Sequence, residues 1–150
     1  MSQDILMVAN PSQYTKQPLS TQMQWLSAVD FWQQEELVKV HDSVLWQSFN
    51  THGKYQRVVQ HATWFAVATN EDGHYIASAF VIEVGRKWLI EYVMTDPAKQ
   101  GKGVGSAIMN RIMTEAKIQQ IEWVILNCDP DKNNGQLPAF YSKFGFKQVT

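Results

Sequence analysis

The sequence predicts a mixed α/β (α+β) fold, because the period of its apolar residues changes along the chain. Three β-rich runs, 64–69, 75–82 and 88–94, are separated by short turns, which predicts an antiparallel meander. A helical pattern then begins at Val104, and another strand-like run follows at 123–127. A strand placed after such a helix lies parallel to the strand before it, through a right-handed crossover. We therefore expect a mostly antiparallel central sheet that contains one parallel pair.

Length and composition predict one globular domain that spans residues 1–150. The chain is 45% hydrophobic and 18% charged, which is typical of folded proteins. Its formal net charge of -1 offers no basic field for a phosphate backbone, so we expect no nucleic-acid partner. The apolar run 5–8 near the N-terminus is too short for a signal or membrane segment, so we expect a cytoplasmic protein with no membrane partner. The single cysteine, Cys128, excludes an internal disulfide, and we name no metal ligands.

The N-terminal third is predicted to contain one strand, at 5–8, followed by helices that begin near Ser20. Thr21 with Gln24, and Asp30 with Gln33, have the spacing of a capping box. This spacing predicts that one or two helices start at these positions.

His41 lies on one predicted helical stripe with Leu37, Leu45 and Phe49. A histidine in such surroundings is more often a packed residue than a catalytic one. We interpret His41 as a partly buried, hydrogen-bonded core residue.

The stretch 88–116 joins an apolar strand to a helix through three alternate glycines, Gly101, Gly103 and Gly105. Without a Cβ, these residues let a ligand approach the backbone, and the first turn of a helix offers unpaired N–H groups and the positive end of its dipole. Such a place binds phosphate. The helix has an apolar face of Val104, Ile108, Met109, Ile112, Met113 and Ala116, and its other side carries Asn110, Arg111, Thr114 and Glu115.

Spacing separates this segment from two other nucleotide-binding signatures. A dinucleotide fingerprint requires glycine where the chain has Ser106, and a P-loop requires a Gly-Lys-Ser/Thr sequence that is not present. The pattern Gln100-x-x-Gly103-x-Gly105 instead resembles the pyrophosphate motif of the Gcn5-related N-acetyltransferase (GNAT) family, Gln/Arg-x-x-Gly-x-Gly/Ala. The first position is more often Arg in that family, so the resemblance implies one charge fewer near the pyrophosphate.

The resemblance extends in both directions from the motif. Upstream, Pro97 lies three residues before the motif begins, as is usual in the family. Downstream, Asn134 matches a family Asn, Tyr141 matches a Tyr seven residues later, and the Phe-Gly-Phe sequence at 144–146 resembles the family's aliphatic-Gly-aromatic ending. The similarity covers residues 64–149.

The resemblance implies a fold and a cofactor. In this family the parallel strands splay apart, helices lie on both faces of the sheet, and acetyl-CoA (coenzyme A carrying the acetyl group) occupies the gap. A bulge frees backbone N–H groups there, and one of them would stabilise the oxyanion formed as an amine attacks the thioester. The implied cofactor-binding residues are Val93, Met94, Thr95, Gln100, Gly101, Lys102, Gly103, Val104, Gly105, Ser106, Asn134 and Tyr141.

Two residues are implied to be catalytic, Glu91 and Tyr141. Glu91 is a carboxylate in an otherwise apolar strand, and family members use a Glu at this position, through water, to take a proton from the amine. A structural ion pair is the alternative for Glu91. Tyr141 matches the family Tyr that protonates the leaving thiolate, although a core role in an aromatic helix is the alternative. Cys128 is interpreted as a small buried residue at a strand end, because no partnering His is placed beside it.

The activity implied by the resemblance is acetyl transfer from acetyl-CoA to a primary amine by direct attack in a ternary complex. The acceptor, a small molecule, peptide or protein, is not readable from the sequence. A catalytically silent acyl-CoA-binding module that regulates a partner is the alternative, and a dinucleotide-binding domain is disfavoured by Ser106.

The last strand, near 146–150, would form a short exposed edge, a feature that native proteins cover or pair. We expect the N-terminal segment or a second copy of the chain to cover it, and a two-fold homodimer is the commonest such arrangement. We also expect N-terminal aromatics to line the acceptor pocket beside this edge. These aromatics are Trp25, Phe31, Trp32, Trp46, Phe49 and Tyr55.

Overall fold

The computed structural model describes residues 4–18, 23–49, 54–95 and 103–149. Within these residues the chain forms seven β-strands and five α-helices. The strands are β1 (Ile5–Ala9), β2 (Met23–Ser27), β3 (Trp64–Thr69), β4 (Tyr75–Val84), β5 (Lys87–Thr95), β6 (Trp123–Cys128) and β7 (Lys147–Gln148). The helices are α1 (Ala28–Trp32), α2 (Glu35–Phe49), α3 (Lys54–Val59), α4 (Val104–Ile118) and α5 (Leu137–Ser142). Among the described helices, none combines the length and the apolar composition that crossing a membrane requires.

The strands form one sheet in the order β2-β3-β4-β5-β6-β1-β7. Strands β3, β4 and β5 make the predicted antiparallel meander, and β6 lies parallel to β5 after the α4 connection. The remaining strand pairs are antiparallel. The predicted fold class, a mostly antiparallel sheet with one parallel pair, is confirmed.

Helices cover both faces of the sheet. On one face, α4 packs over small residues of β3 and β4, and the alanines Ala66, Ala68, Ala77 and Ala79 let the helix approach closely. On the other face, α1, α2 and α3 enclose a second core that contains Phe31, Phe65 and Phe80.

The prediction of a helix starting near Ser20 is wrong. Residues 23–27 form β2, which pairs antiparallel with β3, and Gln24 lies within this strand, whereas Thr21 is outside the described residues. Helix α1 is capped instead by Ser27, whose Oγ accepts a hydrogen bond from the N–H of Asp30 at 3.1 Å. Asp30 is therefore inside the helix rather than at its N-cap. The free edge of β3 offers a full ladder of hydrogen bonds, and this pairing outweighs a local capping pattern.

The outward side of α4 is more buried than its polar composition indicates. Asn110 and Thr114 are 6% and 3% exposed, because the connection from β1 to β2 crosses over them. The Tyr14 hydroxyl donates to Oδ1 of Asn110 at 2.6 Å, and Nδ2 of Asn110 donates to the carbonyl of Gln17 at 3.2 Å. Lys117 donates to the Tyr14 carbonyl at 2.7 Å. These hydrogen bonds hold the segment 14–18 against α4.

The C-terminal edge matches one of the two expected arrangements in part. The N-terminal segment does pair with β7, but β1 lies between β6 and β7, so β7 itself is the last strand of the sheet. The predicted aromatic lining beside this edge is wrong for the described aromatics. Trp25 lies on β2 at the opposite edge and stacks on Trp64 and Trp88, with centroid distances of 5.6 and 5.5 Å.

Phe31 and Trp32 also lie far from β7, because both contact Phe65 on the second strand from the opposite edge. Phe31 stacks on Phe65 with a centroid distance of 3.9 Å. The side chains of Trp46, Phe49 and Tyr55 lie outside the described parts of the chain. The described aromatics serve packing at the β2 edge, which the sequence pattern did not locate.

Candidate functional site

The parallel strands β5 and β6 diverge after their first residues. Their register contains Lys87 with Trp123, Trp88 with Val124, and Leu89 with Ile125. Strand β5 continues to Thr95 and β6 to Cys128 beyond these pairs. A gap therefore opens between the carboxyl ends of the two strands.

A β-bulge lies on β5 beside this gap. Phe80 of β4 pairs with Glu91, and Ser78 pairs with Met94, so two steps along β4 correspond to three along β5. The additional residue falls at 92–93, and a bulge leaves such a residue outside the regular ladder. It also reverses the side-chain alternation, since Ile90 packs in the core beneath α4 whereas Met94 packs in the core beneath α1 and α2. The predicted segment Val93, Met94 and Thr95 thus includes the bulge and the end of the strand.

The beginning of α4 has the backbone geometry of an open cradle. Gly103 is the N-cap with φ +72°, in the left-handed region that favours glycine, and a Cβ there would meet nothing within 4 Å among the described residues. Because the cap is glycine, no capping side chain occupies the first-turn N–H groups. Gln100, Gly101, Lys102 and Pro97 lie outside the described residues.

The next residues join this cradle to α5. A Cβ at Gly105 would lie 3.5 Å from Cζ of Phe140, so the first turn of α4 lies against α5 at this point. Val104 is half-buried and Ser106 is exposed. Gly105 therefore permits close helix contact, whereas no described residue lies within 4 Å of the Cβ position of Gly103.

Tyr141 lies in α5 and is 8% exposed. Its ring packs edge-on against Phe140 and Phe146, with centroid distances of 5.1 and 6.1 Å. Burial, with a smaller contribution from Cys128, raises the pKa of Tyr141 to about 12. The phenol is therefore a weaker acid than an ordinary tyrosine, and it is protonated at neutral pH as an ordinary tyrosine is.

Asn134 has φ +57° and lies in the short 3₁₀ helix Lys132–Gly135 that precedes α5. Asparagine is among the residues that tolerate this left-handed conformation best. Its side chain is exposed, and the backbone turn made by Asn134 and Gly135 sets where α5 begins.

Glu91 is half-buried and lies immediately before the bulge. Directly opposed residues of an antiparallel pair share a face of the sheet, so Glu91 lies on the face of Phe80, beneath α1 and α2. Tyr141 belongs to the core beneath α4, so Glu91 and Tyr141 lie toward opposite faces of the sheet.

Cys128 is a free, buried thiol at the end of β6, and its Sγ lies 3.8 Å from Sδ of Met7. Burial, followed by the charges of Asp4 and Asp129, raises the pKa of this thiol. A nucleophilic thiolate is thereby disfavoured, and the interpretation of Cys128 as a small buried residue at a strand end is confirmed.

His41 is fully buried in α2, and its Nδ1 lies 2.9 Å from Oγ of Ser78. Burial lowers the pKa of His41 to about 4, so the imidazole is neutral at pH 7. The prediction of a hydrogen-bonded core histidine is confirmed. Its partner could not be found from the sequence, because Ser78 is 37 positions away along the chain.

Several described parts of the predicted site are neighbours. The start of α4 lies against α5 at Phe140, and Cys128 at the end of β6 acts on the pKa of Tyr141 in α5. The bulge lies on β5, the strand that borders the gap on its other side. A gap between two parallel strands, beside a helix whose N-cap has no side chain, is suited to an extended ligand that carries a phosphate group. These features define the fold class of acyl-CoA-dependent acyltransferases that the sequence motif resembles.

Comparison with known proteins agrees with this class. Residues 60–148, more than half of the chain, match the family model described as acetyltransferase (GNAT) domain. The chain belongs to the GNAT acetyltransferase family.

The chain is also similar to glucosamine 6-phosphate N-acetyltransferase 1 from Oryza sativa subsp. japonica, with 34% identity over 67 residues, 45% of this chain and 38% of the rice protein. A GNAT-family structure from Novosphingobium aromaticivorans superimposes with a TM-score of 0.70 and 13% identity over 99% of this chain and 60% of its own. The glucosamine N-acetyltransferase region of a fungal multi-domain β-N-acetylglucosaminidase superimposes with a TM-score of 0.61 and 15% identity, over 97% of this chain and 20% of its own. At these identities the two structures show the fold alone. This chain spans less than two thirds of each of the three proteins.

Proposed function

We propose that residues 1–150 form one N-acetyltransferase domain that moves acetyl from acetyl-CoA to a primary amine by direct attack in a ternary complex. The observation that carries this proposal is the opening between β5 and β6, flanked by the bulge at 92–93 and the glycine-capped start of α4. Membership of the GNAT family supports the same reaction and the same cofactor.

The described residues suit acetyl-CoA. The open space at the Cβ position of Gly103 lets a pyrophosphate approach the first-turn N–H groups of α4, and Val104, Gly105 and Ser106 supply that turn. Gln100, Gly101 and Lys102 complete the proposed cradle. The backbone of Val93, Met94 and Thr95 would hold the pantetheine arm, with Asn134 and Tyr141 on the other side of the gap. Bound acetyl-CoA supplies an activated thioester.

The chain's own groups then manage charge and protons. A bulge N–H at Val93 or Met94 would donate to the thioester oxygen as negative charge develops on it. Glu91 would accept the proton of the attacking amine, directly or through water. A base is needed because free lysine-type amines have a pKa of about 10.4 and are protonated at neutral pH. The Tyr141 hydroxyl would donate its proton to the departing sulfur. Its place in α5, near Cys128 at the carboxyl end of β6, supports this role.

Amino sugars are the acceptors to test first. The rice relative is named for glucosamine 6-phosphate and the fungal region for glucosamine, and both names concern the acetylation of a sugar amine. Free thiol release from acetyl-CoA should be measured with glucosamine, glucosamine 6-phosphate, polyamines, amino acids, aminoglycosides and peptide N-termini. Acceptor-dependent thiol release with an N-acetylated product supports the proposal. Tight acetyl-CoA binding without turnover across this panel would favour the silent regulatory module, and tighter binding of NAD would favour a dinucleotide domain.

Two matched glycine substitutions test the cradle. Gly103 and Gly85 both have left-handed φ values, +72° and +63°, and both have open space at the Cβ position. Asparagine tolerates this conformation, so Gly103→Asn and Gly85→Asn should both fold. We expect Gly103→Asn to weaken acetyl-CoA binding at least about tenfold, because its side chain enters the approach of the pyrophosphate, and Gly85→Asn to bind as the parent does. Equal affinity in the two variants, measured by calorimetry, would place the pyrophosphate elsewhere.

We also propose a homodimer, which light scattering would detect as a doubled mass. From the composition of the chain we propose a cytoplasmic location and no nucleic-acid or membrane partner. Cell fractionation and binding assays with DNA and with lipid vesicles would test these proposals.

A further inference from the structure

Three buried side chains form a hydrogen-bonded network between α2 and β4. Oγ of Ser78 lies 2.9 Å from Nδ1 of His41 and 2.7 Å from the hydroxyl of Tyr75. His41 and Ser78 are fully buried, and Tyr75 is 2% exposed. The Ser78 hydroxyl is thus shared by a helix residue and a strand residue. We call these three residues the His41 network.

The His41 network is attached to the sheet beside the bulge. Ser78 pairs with Met94, and the next pair along β4, Phe80 with Glu91, lies across the additional residue of β5. Opposed residues share a face, so the network, Met94 and Glu91 lie on the same side of the sheet. Ser78 therefore provides a polar contact between α2 and β4, next to the bulge of β5.

His41 also makes aromatic contacts, which do not define position as closely as a hydrogen bond does. Its ring meets Phe31, Phe65 and Tyr75 edge-on, with centroid distances of 5.3, 6.0 and 6.1 Å. Apolar contacts are non-directional, whereas a hydrogen bond restricts both distance and angle. The Ser78 contact consequently fixes the position of α2 along β4 in a way that the aromatic contacts alone would not.

We propose that the His41 network positions the bulge of β5 for acetyl transfer, although none of its members touches the reacting atoms. With the network intact, α2 and β4 hold the backbone at 92–94 in one place, where the proposed function requires an N–H donor and the Glu91 carboxylate. Removing the Tyr75 hydroxyl leaves the Ser78 hydroxyl with one of these two partners, so its orientation toward His41 is less restricted and α2 can shift relative to β4. The catalytic consequence rests on the proposed function, and the structural one does not.

A matched pair of variants tests this role. Tyr75→Phe removes the hydrogen bond of a buried phenol to Ser78, and Tyr14→Phe removes the 2.6 Å hydrogen bond of a buried phenol to Asn110 on the opposite face of the sheet. Both should lose a similar amount of stability. We expect only Tyr75→Phe to lower kcat, by roughly 10- to 100-fold with little change in acetyl-CoA affinity, because a misplacement of about 1 Å is costly to catalysis. Equal kcat in the two variants would overturn the positioning role.

A second measurement does not depend on turnover. Hydrogen–deuterium exchange of peptides covering 88–95 should be faster in Tyr75→Phe than in Tyr14→Phe, because the bulge loses its support. Equal exchange in that segment overturns the proposal even if catalysis is altered. If the parent protein releases no thiol with any acceptor, the proposed function fails, and the exchange comparison alone decides the role of the network.

Substitutions at His41 provide a rescue control. His41→Asn places an amide group, which can donate or accept, near the position of Nδ1 and should retain most of the kcat and of the exchange protection, whereas His41→Leu should lose both. Equal behaviour of the two variants would show that only the volume of the histidine matters, which contradicts the proposal. If His41→Leu does not fold, the comparison of Tyr75→Phe with Tyr14→Phe still tests the proposal, because Tyr75→Phe retains the Ser78–His41 contact.

Discussion

At the scale of single residues, burial decides which protons are available near the gap. The same desolvation raises the pKa of Tyr141 to about 12 and lowers that of His41 to about 4, because each environment disfavours the charged form. Tyr141 is thereby kept as a donor, and His41 is kept as a neutral partner for Ser78.

The acid role of Tyr141 predicts both a size and a pH range for its effect. Tyr141→Phe should lower kcat by about 10²-fold or more while acetyl-CoA affinity stays close to that of the parent. Since the phenol pKa is raised to about 12, deprotonation of Tyr141 should not reduce the parent's rate below the ordinary tyrosine pKa of about 10. Steady-state kinetics of both proteins check this. A parental kcat in Tyr141→Phe would assign the tyrosine to packing against Phe140 and Phe146.

The neutral His41 predicts a loss of stability in mild acid. Its pKa is lowered in the folded state, so its contribution is fully present above the unfolded value of about 6.5 and is lost as pH falls toward about 4. The folded protein should lose up to about 3 kcal/mol of unfolding free energy over this range from His41. Urea denaturation at several pH values would measure the slope, and His41→Asn should reduce it. Identical slopes in the two proteins would contradict a depressed pKa.

At the scale of elements, both ends of α4 use left-handed backbone. Its N-cap is Gly103, where that conformation is easy, whereas its C-terminal end uses Gln120 at φ +57°. The N–H of Ile121 donates to the Ala116 carbonyl at 2.9 Å, and the Gln120 carbonyl accepts from Arg86 at 2.6 Å. The strained turn at Gln120 therefore begins the return of the chain into β6.

Gln120→Gly should stabilise the protein. Left-handed backbone costs a residue with a Cβ about 1 kcal/mol more than glycine, and the backbone hydrogen bonds of this turn do not need the side chain. We expect a gain of about 0.5–1 kcal/mol in unfolding free energy by denaturant titration. Gln119→Gly is the control, because Gln119 has φ -84° and should lose stability from the added chain entropy. A loss at both positions would show that the Gln120 side chain makes a favourable contact.

At the scale of the whole molecule, the N-terminal part holds the acetyltransferase region together. Strand β1 lies between β6 and β7, and segment 14–18 crosses α4 before β2 pairs with the far edge of the meander. The N-terminal part thus contacts both sheet edges and the helix that begins at the proposed cradle.

Neighbouring residues of β1 provide a test of this architecture. Met7 is 2% exposed and contacts Cys128, whereas Leu6 is 40% exposed. Met7→Ala should cost about 2–5 kcal/mol of unfolding free energy by removing core volume. Leu6→Ala should cost less than about 1 kcal/mol, because most of its surface is already in water. Similar losses in thermal or urea denaturation of the two variants would contradict a central place for β1.

Much of the site could be predicted because its signals are local. The strands of the meander, the apolar face of α4 and the glycine at its start are each visible within about one element of sequence. The strand β6 is visible in the same way, whereas Tyr141 was singled out through the family resemblance. The bulge on β5 was implied by the family resemblance, and the register of β4 against β5 locates it at 92–93.

By itself, the sequence determined the mixed fold class, the order of the meander, α4 and β6, and the glycine at which α4 begins. The tertiary structure alone decided that 23–27 is a strand, that β1 lies between β6 and β7, and that Asn110 is buried. It also decided which hydroxyl His41 meets. The physical reason is the separation of the partners: Met23 pairs with Ala68 and Ile5 with Cys128, so their hydrogen bonds depend on strand edges that exist only after the chain has folded.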